Sequence, residues 1–309
     1  MRNGQDPENA AYVRRVHDKG LRFDLQTMSR RRLLGTLGGA GALAALGACS
    51  TNSPTASPTS AGASGGKASQ VASETAGPFP ADGSNGPDVR TLDGIVRKDI
   101  RTSFGGLSGT AAGVPLEFSL VVKDLTGAAV TGAAVYVWHC DRDGNYSLYS
   151  SAATDQNYLR GIQVTDASGT VSFTSIFPAC YSGRWPHIHF EVYSSPATAT
   201  GGAGPIVKTS QIAIPKPQAD TVYASTGYGA SVANLSKVSL ATDNVFGDDS
   251  AGTELATVTG SVAAGYRATL AIVIDPSGKE TGGGAGPGGN GPGGPPPGGA
   301  PPSGAPAGA

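Results

Sequence analysis

The sequence predicts an all-β fold, an antiparallel β-sandwich with long loops between its strands. Three observations lead to this class. Several short segments alternate apolar and polar residues, turns rich in Gly and Asp separate them, and no stretch shows a sustained helical period with caps. Strands with this spacing pack as two antiparallel sheets. We expect the folded domain to cover residues 71–275, a length sufficient for one such domain.

The first predicted strand, 115–122, shows the pattern most clearly, because its apolar residues fall at every second position and therefore share one face. The next strand, 134–140, ends at a turn signal over 141–145. Further strands follow in the second half of the domain, at 161–164, 170–177, 187–193, 208–214 and 266–274.

The two ends of the chain have a different composition from the domain. A basic run that includes two arginines precedes a short Gly- and Ala-rich apolar segment, so residues 1–49 are predicted to be an export signal of the twin-arginine type. This signal ends in Leu-Gly-Ala-Cys, which resembles a lipoprotein box and predicts lipidation of Cys49; secretion without a lipid is the alternative. Translation from Met28 instead of Met1 is also open.

Residues 50–70 and 276–309 are low in complexity. The first segment is rich in Ser, Thr, Pro and Ala and is predicted to be a flexible linker, and the second is a Gly- and Pro-rich tail predicted to be disordered. The formal net charge is −1, so the composition favours neither nucleic acid nor an anionic membrane as a partner. We expect an exported protein, extracellular or on the outer face of the cytoplasmic membrane, that contacts the membrane only through its lipid. Its oligomeric state is open.

The candidate chemistry centres on His187 and His189. Two residues apart on a strand, they face the same side and form half of a metal site. Both methionines lie in or before the signal, which disfavours an electron-transfer copper site. A three-His zinc site would need His139, which nothing in the sequence places near this pair. A structural zinc or copper site in a non-catalytic surface module and a 2-His-1-carboxylate iron site with Glu191 remain open.

Tyrosines close to these histidines point to a harder metal. Tyr181 precedes His187 by six positions, and Tyr146 closes the turn after the second strand. A phenolate is a hard anionic ligand that suits a trivalent cation such as Fe(III), and a bound cation favours the ionised phenol.

Five motifs extend this pattern along the chain, and together they resemble the intradiol ring-cleavage dioxygenases, the family of the protocatechuate and catechol dioxygenases. The resemblance covers residues 74–275 and supplies two Tyr, one Arg and two His in the family's order. The motifs are 138–146, 158–161, 166–169, 177–181 and 184–190.

The resemblance implies a β-sandwich that holds Fe(III), with Tyr146 and His187 as in-plane ligands and Tyr181 and His189 as axial ligands. It implies a catechol and O2 as substrates, with the ring opened between its two hydroxylated carbons. Tyr181 would leave the metal when the catechol binds and take up a proton. Arg184 would stabilise negative charge on the substrate ring.

Two further sequence features concern the pocket lining and the cysteines. The resemblance places Gln211 in the pocket lining, while the short segment before Arg184 and Trp185 behind it depart from the family pattern and leave the particular catechol open. Cys140 and Cys180 each lie close in sequence to a proposed Tyr ligand. Export permits a disulfide between them, and two buried free thiols are the alternative.

Overall fold

The computed structural model describes residues 69–202 and 204–280. The predicted export signal with Cys49, most of the predicted linker and the tail from residue 281 onward lie outside these residues. Within the part of the chain that is described, no helix has the length and apolar character needed to cross a membrane.

The described residues form eight strands in two four-stranded sheets. The first sheet has the order β4-β1-β8-β7 and the second the order β3-β2-β5-β6. In chain order the strands are β1 (Pro115–Lys123), β2 (Ala134–Trp138), β3 (Arg160–Val164), β4 (Thr170–Ile176), β5 (His187–Tyr193), β6 (Ile206–Ala213), β7 (Thr257–Ser261) and β8 (Gly265–Val273).

The pairing confirms the predicted two-sheet class with one correction. Neighbouring strands run antiparallel in every pair except β1 and β8, which are parallel. A parallel pair needs a long connection, and these two strands are the first and last of the domain. The alternation within a strand does not reveal the direction of its neighbour, so the sequence could not show this pair.

The main core lies between the two sheets. Phe118 and Leu120 of β1 pack there with Ile188 and Phe190 of β5, and all four side chains are buried. In the first sheet, β8 alternates buried and exposed residues, which is the expected pattern for a sheet with one solvated face. In contrast, β2, β5 and β6 are buried at every position. The second sheet is therefore covered on both faces.

Three short helices and two 3-10 turns lie in the loops and were not predicted. They are α1 (Pro196–Thr200), α2 (Lys216–Tyr223), α3 (Gly229–Leu235) and the 3-10 turns Leu240–Thr242 and Phe246–Asp248. Helices of two turns or fewer are too short to show an apolar period and depend on tertiary packing. Strand β7 was also missed, because four of its five residues are exposed and no alternation is visible.

The described part of the chain continues past the predicted boundary at residue 275. Glu280 forms a β-bridge with Ile206, and its carboxylate accepts hydrogen bonds from the Thr209 amide at 2.6 Å and the Ser73 hydroxyl at 2.6 Å. Residues 276–280 therefore belong to the folded domain. A single long-range anchor of this kind has no signature in a Gly- and Pro-rich composition.

Candidate metal centre

Strand β5 carries the two histidines on the face that points away from the main core. Because Ile188 enters the core, His187 and His189 project to the opposite side of the sheet. His189 lies directly across from Trp138 of β2, and the two rings stack at 4.9 Å with an interplanar angle of 3°. On its other side, the backbone of Gly77 lies so close that a Cβ there would be 3.3 Å from His189 Cε1. The imidazole is thus fixed between strand β2 and the segment before β1.

Two loops bring tyrosines to this face. Tyr146 follows a turn in which Asp141 Oδ1 accepts hydrogen bonds from the amides of Asp143 and Asn145, both at 2.9 Å. Tyr181 comes from the loop between β4 and β5 and packs against Gly144 of that same turn. Gly144 has a φ of +88°, and a Cβ there would approach Tyr181 Cβ to 3.2 Å. Glycine at this position therefore allows both the turn and the contact.

The polar atoms of all four predicted ligands converge on His187 Nε2. Tyr146 Oη lies 3.4 Å from this atom, Tyr181 Oη 3.3 Å and His189 Nε2 3.1 Å. The other nitrogen of His187, Nδ1, lies 2.5 Å from the carbonyl oxygen of Trp185. A carbonyl only accepts hydrogen bonds, so Nδ1 carries the proton and Nε2 presents its lone pair to the cluster.

Burial sets the ionisation of this cluster. It lowers the pKa of His187 and of His189 well below the usual value, and it raises the pKa of Tyr146 well above its usual value. The imidazoles are therefore neutral, as ligands must be, and Tyr146 stays protonated unless a cation lies beside it. Two nitrogen lone pairs and two phenols that a cation can ionise are a donor set that fits Fe(III).

The donor sets of the other metal sites are not assembled. Glu191 lies on the same strand face as the histidines, but its carboxylate accepts a hydrogen bond from Tyr193 Oη at 2.6 Å. His139 is held by Ser175 Oγ at 2.7 Å, away from the cluster. Within residues 69–202 and 204–280, no three His, Cys, Asp or Glu side chains are grouped so that they could hold a metal ion. Neither the site with His139 nor the site with Glu191 is supported.

Arg184 lies beside the cluster and is fixed by two partners. Its Nε donates to Asp243 Oδ2 at 3.0 Å, and its Nη2 donates to Gln211 Oε1 at 2.7 Å. Gln211 in turn donates to the carbonyl of Thr75 at 2.9 Å. The side chains of Arg184 and Asp243 are 3% and 0% exposed, so the guanidinium is held as a desolvated cation.

Asp243 is the residue that sequence reasoning missed. Besides Arg184, its carboxylate accepts hydrogen bonds from the amides of Trp185 at 2.6 Å, Val245 at 2.8 Å and Phe246 at 3.0 Å. It thereby joins the loop before β5 to the loop that carries Phe246, whose ring lies 6.4 Å from that of His187. An Asp preceding an apolar pair signals only a local turn, and nothing in the sequence indicates the partner 59 positions away.

The predicted disulfide is not formed. Cys140 and Cys180 are both buried free thiols. Cys140 Sγ lies 3.7 Å from the carbonyl oxygen of Ala179, and Cys180 Sγ lies 3.3 Å from that of Arg184, so each thiol is directed to a backbone carbonyl. Burial raises the pKa of Cys180 to about 12, which makes the thiol unreactive.

Part of this chain is similar in sequence to known proteins. Residues 86–199 match the family model described as Dioxygenase. The chain is 44% identical over 66 residues to chlorocatechol 1,2-dioxygenase of Rhodococcus opacus, a match that covers 21% of this chain and 26% of the relative. It is 33% identical over 104 residues to catechol 1,2-dioxygenase 2 of Acinetobacter lwoffii, which covers 32% of this chain and 38% of the relative.

The fold also has a counterpart among solved structures. An intradiol ring-cleavage dioxygenase from Tetranychus urticae superimposes with a TM-score of 0.54 at 22% identity, over 69% of this chain and 98% of that one. The similarity at this identity concerns the fold. This chain is therefore similar to the intradiol ring-cleavage dioxygenases, and it spans 26% and 38% of the length of the two bacterial relatives it matches.

Proposed function

We propose that this protein is an Fe(III)-dependent dioxygenase that opens the ring of a catechol between its two hydroxylated carbons with O2. The observation that carries the proposal is the convergence of two phenol oxygens and the His189 Nε2 nitrogen on His187 Nε2, each at 3.1–3.4 Å from that atom. The two bacterial relatives are named as enzymes that act on catechol and chlorocatechol, which supports the same substrate class.

Each ligand has a role that follows from its surroundings. Tyr146 is buried at 2% exposure, which suits a permanent ligand, whereas Tyr181 is only partly buried. Tyr181 would therefore be the ligand on the side from which a substrate enters, and its phenol oxygen would accept a proton from the catechol. His187 and His189 are neutral and would each offer a nitrogen lone pair to the metal without adding charge. Bound Fe(III) would supply Lewis acidity, drawing electron density from the catecholate.

Arg184 completes the proposed site. A guanidinium fixed by Asp243 and Gln211 keeps its charge in one place, and in a dry site a fixed cation stabilises negative charge that develops on the substrate ring. Because its partners already hold it, little reorganisation is needed when that charge appears.

The test combines colour, oxygen uptake and product. Fe(III)-phenolate charge transfer is expected to colour the iron-loaded protein red-brown, and an oxygen electrode is expected to record O2 uptake with catechol or chlorocatechol and a muconate-type diacid as product. Tyr181→Phe should shift the absorption band and lower kcat about a hundredfold or more. Tyr223→Phe is the matched control, because this buried phenol bonds to the Pro178 carbonyl outside the cluster. Iron-loaded protein that is colourless and consumes no O2 with any catechol would falsify the proposal.

We also propose that the domain acts outside the cytoplasm, delivered by the signal in residues 1–49 and anchored through Cys49. The support is the sequence pattern alone. Mass spectrometry of the mature N-terminus tests this, and an unmodified start beyond Cys49 would exclude the lipid anchor.

A further inference from the structure

Arg160, the first residue of β3, is a buried cation without an acidic partner. The residue is only 1% exposed. Within residues 69–202 and 204–280, no carboxylate forms an ion pair with its guanidinium. All of its hydrogen-bond acceptors are neutral. Its Nε donates to Ser147 Oγ at 3.0 Å, its Nη2 to the Ser147 carbonyl at 2.9 Å, and its Nη1 to the carbonyls of Phe79 at 2.9 Å and Pro80 at 3.0 Å.

Four of its contacts go to two segments that are far apart in sequence and that both reach the candidate metal centre; the fifth, from Nη1, goes to Tyr136 Oη of β2 at 3.4 Å. Ser147 follows the proposed ligand Tyr146 directly. Phe79 packs on Tyr146 with ring centroids 4.9 Å apart, and the same segment holds Gly77 against His189. The guanidinium thus joins the loop that carries one ligand to the segment that covers another.

A buried charge with only neutral partners is costly, so its retention calls for a reason other than an ion pair. Arginine has five N–H donors in a rigid plane, which lets one side chain bind two segments at once; lysine has a single flexible ammonium. We propose that Arg160 is a positioning residue that locks the Tyr146 loop and the Phe79–Pro80 segment together around the candidate metal centre. The structural role of Arg160 follows from its contacts, whereas its effect on metal binding rests on the proposed ferric site.

Arg97 provides a matched control. Its guanidinium donates to the backbone carbonyls of Arg160 at 2.7 Å and Ile100 at 3.5 Å and, through another nitrogen, of Thr102, and it stacks over Phe104 at 4.3 Å. None of these partners belongs to residues 77–81 or 146–147. Removing Arg97 therefore deletes a guanidinium that contacts the Arg160 backbone and makes no direct contact with the two segments.

The experiment compares Arg160→Met, Arg160→Lys and Arg97→Met with the wild type in two measurements. Amide hydrogen exchange of the metal-free protein is expected to rise about tenfold to a hundredfold in residues 77–81 and 147–150 of Arg160→Met, the size expected when hydrogen bonds to a charged group are lost. Arg160→Lys should restore only part of the protection, and Arg97→Met should leave both segments unchanged. Titration with Fe(III) should give a shifted charge-transfer band in Arg160→Met alone.

Two outcomes would overturn the proposal: wild-type exchange in both segments of Arg160→Met, or an equal loss of protection in Arg97→Met. If Arg160→Met does not fold, Ser147→Ala carries the test, because it leaves the arginine in place and removes the Nε contact, together with the bond from Ser147 Oγ to the Tyr158 carbonyl at 2.8 Å. It should raise exchange at 147–150 by a smaller factor, and unchanged exchange there counts against the lock. Hydrogen exchange is measured without iron, so it tests the role of Arg160 independently. A protein that binds no Fe(III) would refute the proposed function, and the exchange data would still show whether Arg160 holds the two segments.

Discussion

At the scale of single residues, the candidate centre depends on contacts that orient each histidine side chain towards the cluster. His187 Nδ1 is bound to the Trp185 carbonyl, and this leaves Nε2 facing the phenols. His189 is fixed by the stack on Trp138, so it turns its Nε2 to the same point. Supporting contacts of this kind orient metal ligands before any metal arrives.

The pair of Arg184 and Asp243 gives a first prediction. Asp243→Ala leaves a buried guanidinium without its carboxylate and is expected to lower the free energy of unfolding by about 3–5 kcal/mol. It should also lower kcat, because Arg184 is no longer fixed. Urea unfolding and steady-state kinetics with a catechol measure both effects.

The control for Asp243 is Asp220→Ala, which breaks the exposed pair with Lys216 on α2. An exposed pair four residues apart on a helix contributes about 0.3–0.5 kcal/mol, so this variant should unfold almost as the wild type does. Equal destabilisation by both variants would show that the buried pair contributes no more to stability than an exposed one.

His139 gives a prediction on pH. Burial lowers its pKa from 6.5 to about 4, and its ring is held by the Cys140 carbonyl and Ser175 Oγ, both at 2.7 Å. The folded state therefore holds the neutral ring while the unfolded chain binds a proton, so this residue costs stability as pH falls from 6.5 towards 4. Relative to His139→Asn, the wild type is expected to lose up to about 3 kcal/mol across that window and nothing above it.

Urea titrations of metal-free wild type and His139→Asn at several pH values measure this difference. Ser175→Ala is the control, because it keeps the imidazole and should keep the pH dependence. A difference between wild type and His139→Asn that does not change with pH would contradict the assignment of a buried neutral ring.

At the scale of elements, β5 serves two environments at once. Its Ile188, Phe190 and Val192 fill the core between the sheets, while His187 and His189 face the segment that precedes β1. That segment has little regular structure, yet it completes the site by covering His189 with Gly77 and by supporting Gln211 through the Thr75 carbonyl.

Gly77→Ala tests this cover. Gly77 has a φ of +68°, and an added Cβ would lie 3.3 Å from His189 Cε1, so the variant should both strain the backbone and displace the imidazole. We expect a loss of about 1–2 kcal/mol in unfolding free energy together with weaker Fe(III) binding, measured by calorimetric titration.

Gly127→Ala is a matched control for the strain. Its φ is +85°, but nothing lies within 4 Å of an added Cβ. It should lose similar stability and bind Fe(III) as the wild type does. Equal loss of metal binding in the two variants would mean that strain alone, and not contact with His189, causes the defect.

At the scale of the whole molecule, the two ends of the described chain meet on the edge strand β6. Lys208 Nζ lies 2.6 Å from Ser73 Oγ and 3.1 Å from Glu280 Oε1, so one buried lysine binds both ends. The segment from residue 73 onward covers the candidate centre, so this anchor also fixes the start of the cover.

A protein that ends at residue 275 is therefore expected to be less stable than one that ends at residue 280, by about 1–3 kcal/mol, because Lys208 loses its carboxylate. Thermal unfolding of the two truncated proteins measures the difference. Glu280→Gln in the longer protein isolates the charge, since its backbone can still bond to the Ile206 carbonyl. Equal melting temperatures for both lengths would restore the boundary at 275.

Much of the fold and of the candidate site could be predicted from the sequence, because these features depend on residues that are close together along the chain. The strands around Phe118, Tyr136 and Phe190 show in their alternation or β-branched content, because the side-chain period of a strand is set by the backbone alone. His187 and His189 were found as a pair on one strand face, and the resemblance to the dioxygenase family assigned Tyr146 and Tyr181 to the same proposed centre.

The two-sheet class, the face shared by the histidines and the residue types around them follow from the pattern of residues along the chain. The parallel pairing of β1 with β8, the free state of Cys140 and Cys180, and the roles of Asp243 and Arg160 as partners follow from the packing in three dimensions. These features join residues that are distant along the chain or set the direction in which a side chain points. Periodicity and spacing describe neighbours in sequence, whereas packing of the whole chain selects neighbours in space.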